Sequence, residues 1–170
     1  MKKDFQILLF YCYAEILDTE KFKTEHHLYC IKNNIKGRII ISSEGINGTV
    51  SGLKKDCDNY RKELISKKIF PDIDFKVESY HKNAFKKINV RIKNEIVNSG
   101  IISKKILKNK GQYINPSDFK KIIKNAPENI TILDVRSNYE HNIGKFKNAM
   151  TLDIDNFRDF PDKINDLKKK

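Results

Sequence analysis

Between residues 6 and 80, short apolar runs alternate with helical patterns in the order strand, helix, strand, strand, helix, strand, and few folds accept that order. Residues 6–14 form an apolar and aromatic run that reads as a buried strand. A helix is expected from Asp18 or Thr19, either of which supplies an N-cap, because Phe22, His26, Tyr29 and Cys30 recur at helical spacing. Asn33 and Asn34 provide a stop. Ile39, Ile40 and Ile41, after Gly37, form a β-branched strand, and residues 42–45 turn the chain into a further strand from Asn47, which predicts a hairpin. Leu53, Cys57, Tyr60, Leu64 and Ile65 mark a second amphipathic helix. Ile73, Phe75 and Val77 then alternate with Asp74, Lys76 and Glu78, the pattern of a half-buried strand. The fold implied is a ferredoxin-like α+β sandwich, with two helices on one face of an antiparallel sheet.

Residues 87–97 add a strand with two unlike edges. Ile88, Val90 and Ile92 point one way, while Lys87, Asn89, Arg91 and Lys93 point the other. Such a strand holds cations at a repeat of roughly 6.5–7 Å, twice the strand rise, and phosphates along a nucleic acid match it. The plainer reading is an edge strand that lysines protect from aggregation. Overall charge does not choose between them. The chain carries 34 Lys and Arg against 22 Asp and Glu, a net +12, but only five of the basic residues are Arg. Lysine of this abundance commonly covers solvated faces, so local patterning is the better guide.

A different rhythm follows. Residues 98–112 read as a linker, with Ile101, Ile102, Ile106 and Leu107 as packing anchors. Asn115, Pro116 and Asp118 suit the N-cap, N1 and N3 positions of a helix whose buried face is Phe119, Ile122 and Ile123. A strand is expected over 130–135, then a short helix opened by a Ser137/Glu140 capping box and ended by Gly144. Met150–Ile154 reads as another strand, and Phe157, Phe160, Ile164 and Leu167 as a last helix. This alternation predicts a parallel α/β sheet. The expected organisation is therefore an α/β chain: an α+β domain over 1–97, a linker over 98–112, and an incomplete parallel α/β domain over 113–170.

Cys12, Cys30 and Cys57 show no metal spacing, and an odd number of cysteines without an export signal points to a reducing cytosol. The apolar run Ile7–Phe10 is too short for a membrane span. His26 sits on an apolar helix face and reads as a core histidine, while His27, His81 and His141 lack partners at metal-ligand spacing, so no metal is expected. Tyr11, Tyr13 and Phe85 suit either stacking on unpaired bases or the core, the latter being commoner for aromatics in strands.

Three groups of residues occur in a telling order: Glu44-Gly-Ile-Asn-Gly-Thr49; Val90-Arg-Ile-Lys-Asn-Glu-Ile-Val97; and Asp134-Val-Arg136 with Tyr139, Glu140, Gly144, Phe146, Ala149 and the run Phe157–Pro161. The set resembles the rhodanese-related tRNA uridine hydroxylases. That resemblance implies a small ferredoxin-like or acylphosphatase-like domain ahead of a rhodanese domain. It implies oxygen-dependent conversion of the wobble uridine of tRNAs to 5-hydroxyuridine, with tRNA as partner, dioxygen as co-substrate and a cytoplasmic setting. It leaves any further cofactor unspecified. In the family an essential cysteine lies on a loop of the form Cys-x-Gly-Gly-Ile-Arg-Cys, where backbone amides favour a thiolate. None of the three cysteines here matches that position, so the catalytic residue is not placed in this sequence and the chain is expected to stop short of it. Asp134 and Arg136 are expected to scaffold the active-site half, and Lys87, Asn89, Arg91 and Lys93 to contact RNA. Glu44 and Asn47 flank a turn that either touches RNA or serves the turn alone. Two other functions stay open: an RNA-binding module without activity, and a rhodanese-type sulfurtransferase fragment.

Overall fold

The computed structural model describes residues 4–70, 72–100, 111–125 and 129–167. Two compact units are distinguished, Met1–Val97 and Asn98–Lys170. The proposed linker over 98–112, with its anchors Ile101, Ile102, Ile106 and Leu107, lies largely outside the described residues.

In the first unit the strands are β1 (Phe5–Tyr13), β2 (Lys36–Ser42), β3 (Gly45–Leu53), β4 (Asp74–Tyr80) and β5 (Ile88–Ile92). The helices are α1 (Thr19–Lys32) and α2 (Lys54–Ser66). The sheet order is β4-β1-β3-β2-β5. Its first four members are antiparallel neighbours, the arrangement expected of a ferredoxin-like sandwich, and β5 adds a fifth strand parallel to β2. The expected α+β class is borne out.

Local chemistry accounts for the boundaries. The Asp18 carboxylate accepts from the Lys21 amide at 2.9 Å and starts α1; Asn33 caps its end and Asn34 takes φ 54°. In the hairpin Ser42 pairs with Gly45 across a two-residue turn. Gly45 has φ 148°, and a Cβ there would fall on the Cys12 carbonyl of the neighbouring strand, so no side chain fits.

Alternation along the strands sorts side chains by face. Leu8, Phe10, Ile39, Ile41, Ile46 and Val50 face the helices and join Cys30, Cys57, Tyr60 and Leu64 in one buried cluster. Gly48 leaves room for the Phe10 ring, which a Cβ would meet at 2.6 Å. Several side chains depart from the expected pattern, Leu9, Tyr11 and Leu53 being exposed. Ile65 is 60% exposed at the rim of α2, and Val77 is 42% exposed because β4 is an edge strand that α2 does not fully cover. Within the core His26 Nε2 and the Tyr60 hydroxyl lie 2.9 Å apart. Burial, with help from Lys67, pushes the His26 imidazole down to about 4.

The second unit contains α3 (Pro116–Asn125), β6 (Leu133–Asp134), α4 (Asn138–Ile143), β7 (Met150–Thr151), a 3-10 turn (Phe157–Asp159) and α5 (Phe160–Leu167). Strands β6 and β7 pair in parallel, as the alternation implied. Both are shorter than the expected 130–135 and Met150–Ile154, because each has a single partner over two residues among those described. Asn115 caps α3 through its side chain, which accepts from the Asp118 amide at 3.0 Å. Among the described residues of this unit only His141, Leu152 and Ile154 are buried.

Two expectations follow from this packing. An imidazole that resists protonation when folded but accepts a proton near pH 6.5 when unfolded makes stability fall as pH drops from about 6.5 to about 4. The full fall is roughly 3 kcal/mol. Urea midpoints at pH 7 and pH 4.5 should diverge in the native chain and converge in His26→Leu; an equal drop in both would remove His26 as the cause. Amide hydrogen exchange should be slower across residues 5–97 than across 113–167, since burial is concentrated in the former. Equal protection in both would contradict this reading.

Candidate functional site

The Asp134–Arg136 pair stands at the C-terminal end of β6, the end of a parallel strand where open α/β sheets place their sites. Arg136 grips the carboxylate as a fork, its Nε donating to Oδ1 at 2.9 Å and its Nη2 to Oδ2 at 2.7 Å. The Arg136 amide also donates to Oδ1, at 3.2 Å, and Nη2 reaches the Gly144 carbonyl at 2.6 Å. The loop from β6 to the end of α4 is thus tied to one carboxylate. Hydrogen bonds from Arg136 hold the Asp134 carboxyl far below the usual carboxylate range, against a smaller opposing effect of desolvation.

His141, on α4, completes the cluster. Its Nδ1 lies 3.2 Å from Asp134 Oδ2, and Lys145 Nζ lies 3.1 Å from its Nε2. A proton on Nδ1 satisfies both contacts, since Nδ1 then donates to the carboxylate and Nε2 accepts from the ammonium. Nothing beyond a lack of metal-ligand spacing was expected of His141. The available signal was its position in the second turn of a helix opened by the Ser137/Glu140 box, seven residues beyond Asp134. That box forms as expected: Ser137 Oγ accepts from the Glu140 amide, and the Ser137 amide and hydroxyl donate to Glu140 Oε2 at 3.2 and 2.7 Å. These bonds hold the Glu140 carboxyl below its ordinary range.

In the first unit Asn89 and Arg91 lie on the sheet face opposite the helices, because Ile88 and Val90 pack against the core. Lys87 and Lys93 flank the strand and are exposed. Asn89 Oδ1 accepts from Arg91 Nε at 3.2 Å, which steadies the guanidinium. Arg38, unremarked in the sequence, stands beside Asn89 in the β2–β5 register and is exposed on the same face. The helix cations Lys23, Lys54, Arg61 and Lys67 pair with acids one turn away. Among the described residues no ion pair engages Arg38, Lys87, Arg91 or Lys93.

The three thiols lie elsewhere. Cys12, Cys30 and Cys57 are all buried, and burial pushes Cys30 up to about 12 and Cys57 to about 11, the reverse of what a thiolate nucleophile needs. Among the described residues no cluster of three or more His, Cys, Asp or Glu is placed to hold a metal ion.

With this geometry in place, the family model described as the UPF0176 acylphosphatase like domain matches residues 5–96. The chain belongs to that family. Curated relatives named tRNA uridine(34) hydroxylase share 46% identity in Cytophaga hutchinsonii, 43% in Staphylococcus haemolyticus and 40% in Acholeplasma laidlawii. These matches cover 97%, 97% and 99% of this chain but 52%, 51% and 52% of the relatives. The chain therefore spans about half the length of the curated relatives it matches, and the resemblance drawn from its motifs is borne out.

Two residues of the UPF0176 hairpin change meaning in the structure. Glu44 Oε1 accepts from the Ile96 amide at 2.8 Å, and Asn47 Nδ2 donates to the Ile96 carbonyl at 2.8 Å. Both side chains are occupied with the backbone that follows β5, so the first two motif groups hold each other.

Removing the Asp134 carboxylate should release the β6–α4 loop. Asp134→Ala is expected to lower the exchange protection of the Arg136 amide about tenfold while amides of β1 and β3 keep theirs. Unaltered protection at Arg136 would show that the loop is held by something else.

Proposed function

We infer that this protein acts in hydroxylation of the wobble uridine of tRNA, forming 5-hydroxyuridine with dioxygen as co-substrate. The observation that carries this reading is the 46% identity over 97% of the chain to a relative named tRNA uridine(34) hydroxylase. The division of labour proposed for the chain has two parts. Residues 1–97 form an RNA-contacting domain and residues 113–170 the opening of a rhodanese-like domain, joined through 98–112. In the first, Lys87, Arg91 and Lys93 meet phosphates and Asn89 orients Arg91, which is supported by exposed cations without acidic partners.

In the second, Asp134, Arg136 and His141 are positioning residues. Three hydrogen bonds from Arg136 to one carboxylate fix the loop, and a rigid loop is what a reactive group on a neighbouring strand requires for support. No residue described here is assigned the role of nucleophile or base. A role on tRNA also implies a cytoplasmic location; no helix among the described residues is long and apolar enough to cross a membrane.

The test is chemical. In a strain lacking the gene, mass spectrometry of digested tRNA should show loss of 5-hydroxyuridine, restored by the native gene. Complementation with Arg91→Glu combined with Lys93→Glu should restore less, and the purified double variant should bind tRNA more weakly with a shallower dependence on salt. Undiminished 5-hydroxyuridine in the deletion strain would end the hydroxylase reading. Unaltered affinity in the double variant would remove β5 from it.

A further inference from the structure

The sheet face turned away from the helices is crossed twice by the chain. Ser51, on that face of β3, accepts from the Ala84 amide at 3.2 Å through its hydroxyl, and its carbonyl receives Asn83 Nδ2 at 3.4 Å. The crossover between β4 and β5 therefore lies over one end of β3. At the other end Ser42 Oγ donates to the Asn94 carbonyl at 3.1 Å, and Asn47 holds Ile96 from both sides of the hairpin with Glu44. Between these two straps runs one row across all five strands: Lys76, Leu9, Thr49, Arg38 and Asn89 stand side by side in register, with Lys76, Leu9 and Arg38 exposed and Thr49 and Asn89 half-buried. Five strands span about 19 Å, and the four residues from Asn47 to Ser51 separate the straps by about 13 Å.

The contents of this window are graded from one side to the other. On β1, Leu9 is 44% exposed and Tyr11, in the next row, 48% exposed, with the Tyr13 ring meeting Tyr11 edge to face at 6.4 Å. Arg38 stands in this row on β2, and Arg91 on β5 stands in the next row with Tyr11, at the strap's edge; they are two of the five arginines in the chain. The acids Asp74 and Glu78 lie on the β4 edge, across β1 from the arginines, while Glu44 and Glu95 stand at the strap end near Tyr13. An apolar and aromatic floor beside a cationic border is complementary to a polyanion whose flat apolar groups project to one side. That is the chemistry of an unpaired nucleic-acid strand, since only unpaired bases offer a free π-face while phosphates remain on the outer side.

We propose that this window takes an unpaired RNA strand, with a base stacked on Tyr11 and phosphates on Arg38 and Arg91. The inference rests on the tRNA reading above and deepens it: the domain binds the looped, single-stranded part of its RNA rather than a duplex stem. Tyr11 and Leu9 supply affinity with little sequence preference, because stacking and apolar contact do not read base edges. Arg38 extends the cationic border from β5 onto β2, so contact runs across the strands and not along β5 alone.

The experiment uses the full chain and a fluorescein-labelled ten-nucleotide oligouridylate, followed by anisotropy, with an RNA duplex of equal length as competitor. The single strand should bind, and the duplex should compete poorly. Tyr11→Ala should weaken binding about tenfold and Tyr11→Phe should restore it, as stacking needs the ring and not the hydroxyl. Arg38→Gln should reduce the slope of log affinity against log salt by about 0.7, the single-strand value for one phosphate contact. Circular dichroism of each variant checks the fold, and the Arg38 variant keeps the test open if Tyr11→Ala is unstable. Two results would overturn the proposal: binding that ignores Tyr11 and Arg38 but collapses with Arg91→Glu and Lys93→Glu, or no RNA binding with Tyr11→Ala converting a dimer to a monomer. The first leaves the hydroxylase reading intact. Conversely, Tyr11-dependent binding in a protein whose deletion spares 5-hydroxyuridine would keep the window and discard the reaction.

Discussion

Two hydrogen bonds to the backbone of a single residue, from the Ile96 amide to Glu44 and from Asn47 to the Ile96 carbonyl, organise the first unit beyond its core. Four strands and two helices already make a complete sandwich. What Glu44 and Asn47 add is a fixed path for the chain after β5, which lays residues 94–96 over the outer face of the sheet. Ile96 is thereby buried away from the main hydrophobic cluster. Truncating either side chain would leave a half-buried peptide group without its partner, a cost larger than the net worth of the bond itself. The outer face owes its shape to this clamp.

The second unit is organised by the same economy on a smaller scale. One carboxylate, Asp134, accepts from Arg136 three times and faces His141, so a loop, a strand end and a helix share a single anchor. Buried area is scarce there, and directional bonds carry the conformation that packing supplies in the first unit. Charge has opposite uses in the two places. In the β6–α4 cluster it is matched and spent on geometry, whereas on β2 and β5 it is unmatched and turned outward.

Much of the first unit was legible because its signals are local and repeated. The apolar run of β1, the β-branched run of β2, the Asp18 cap and the turn at Gly45 each follow from a few neighbouring residues. The exposure of Ile65 and Val77 was not legible, since it depends on how far α2 reaches over an edge strand. Glu44 and Asn47 looked like turn residues because their partner lies about fifty positions away. Arg38 was hidden for the same reason: its neighbour on β5 is set by sheet order, which no window of sequence reveals. His141 went unrecognised because its carboxylate partner is reached through the fold of a loop and not through ligand spacing. The Ser137/Glu140 capping box and the Asp-x-Arg pair, by contrast, carry their geometry in their spacing.

The placement of β5 also has a history in time. A parallel neighbour cannot be joined by a tight turn, so residues 81–87 must travel from one edge of the sheet to the other before Ile88–Ile92 can dock. Until then β2, with three consecutive isoleucines, is itself the outermost strand, and its unpaired amides and carbonyls are open to any passing chain. Lys36 and Arg38, just ahead of those isoleucines on the same strand, repel a second copy during that interval. Arg38, offered here to phosphate, would then have served first as a guard against aggregation.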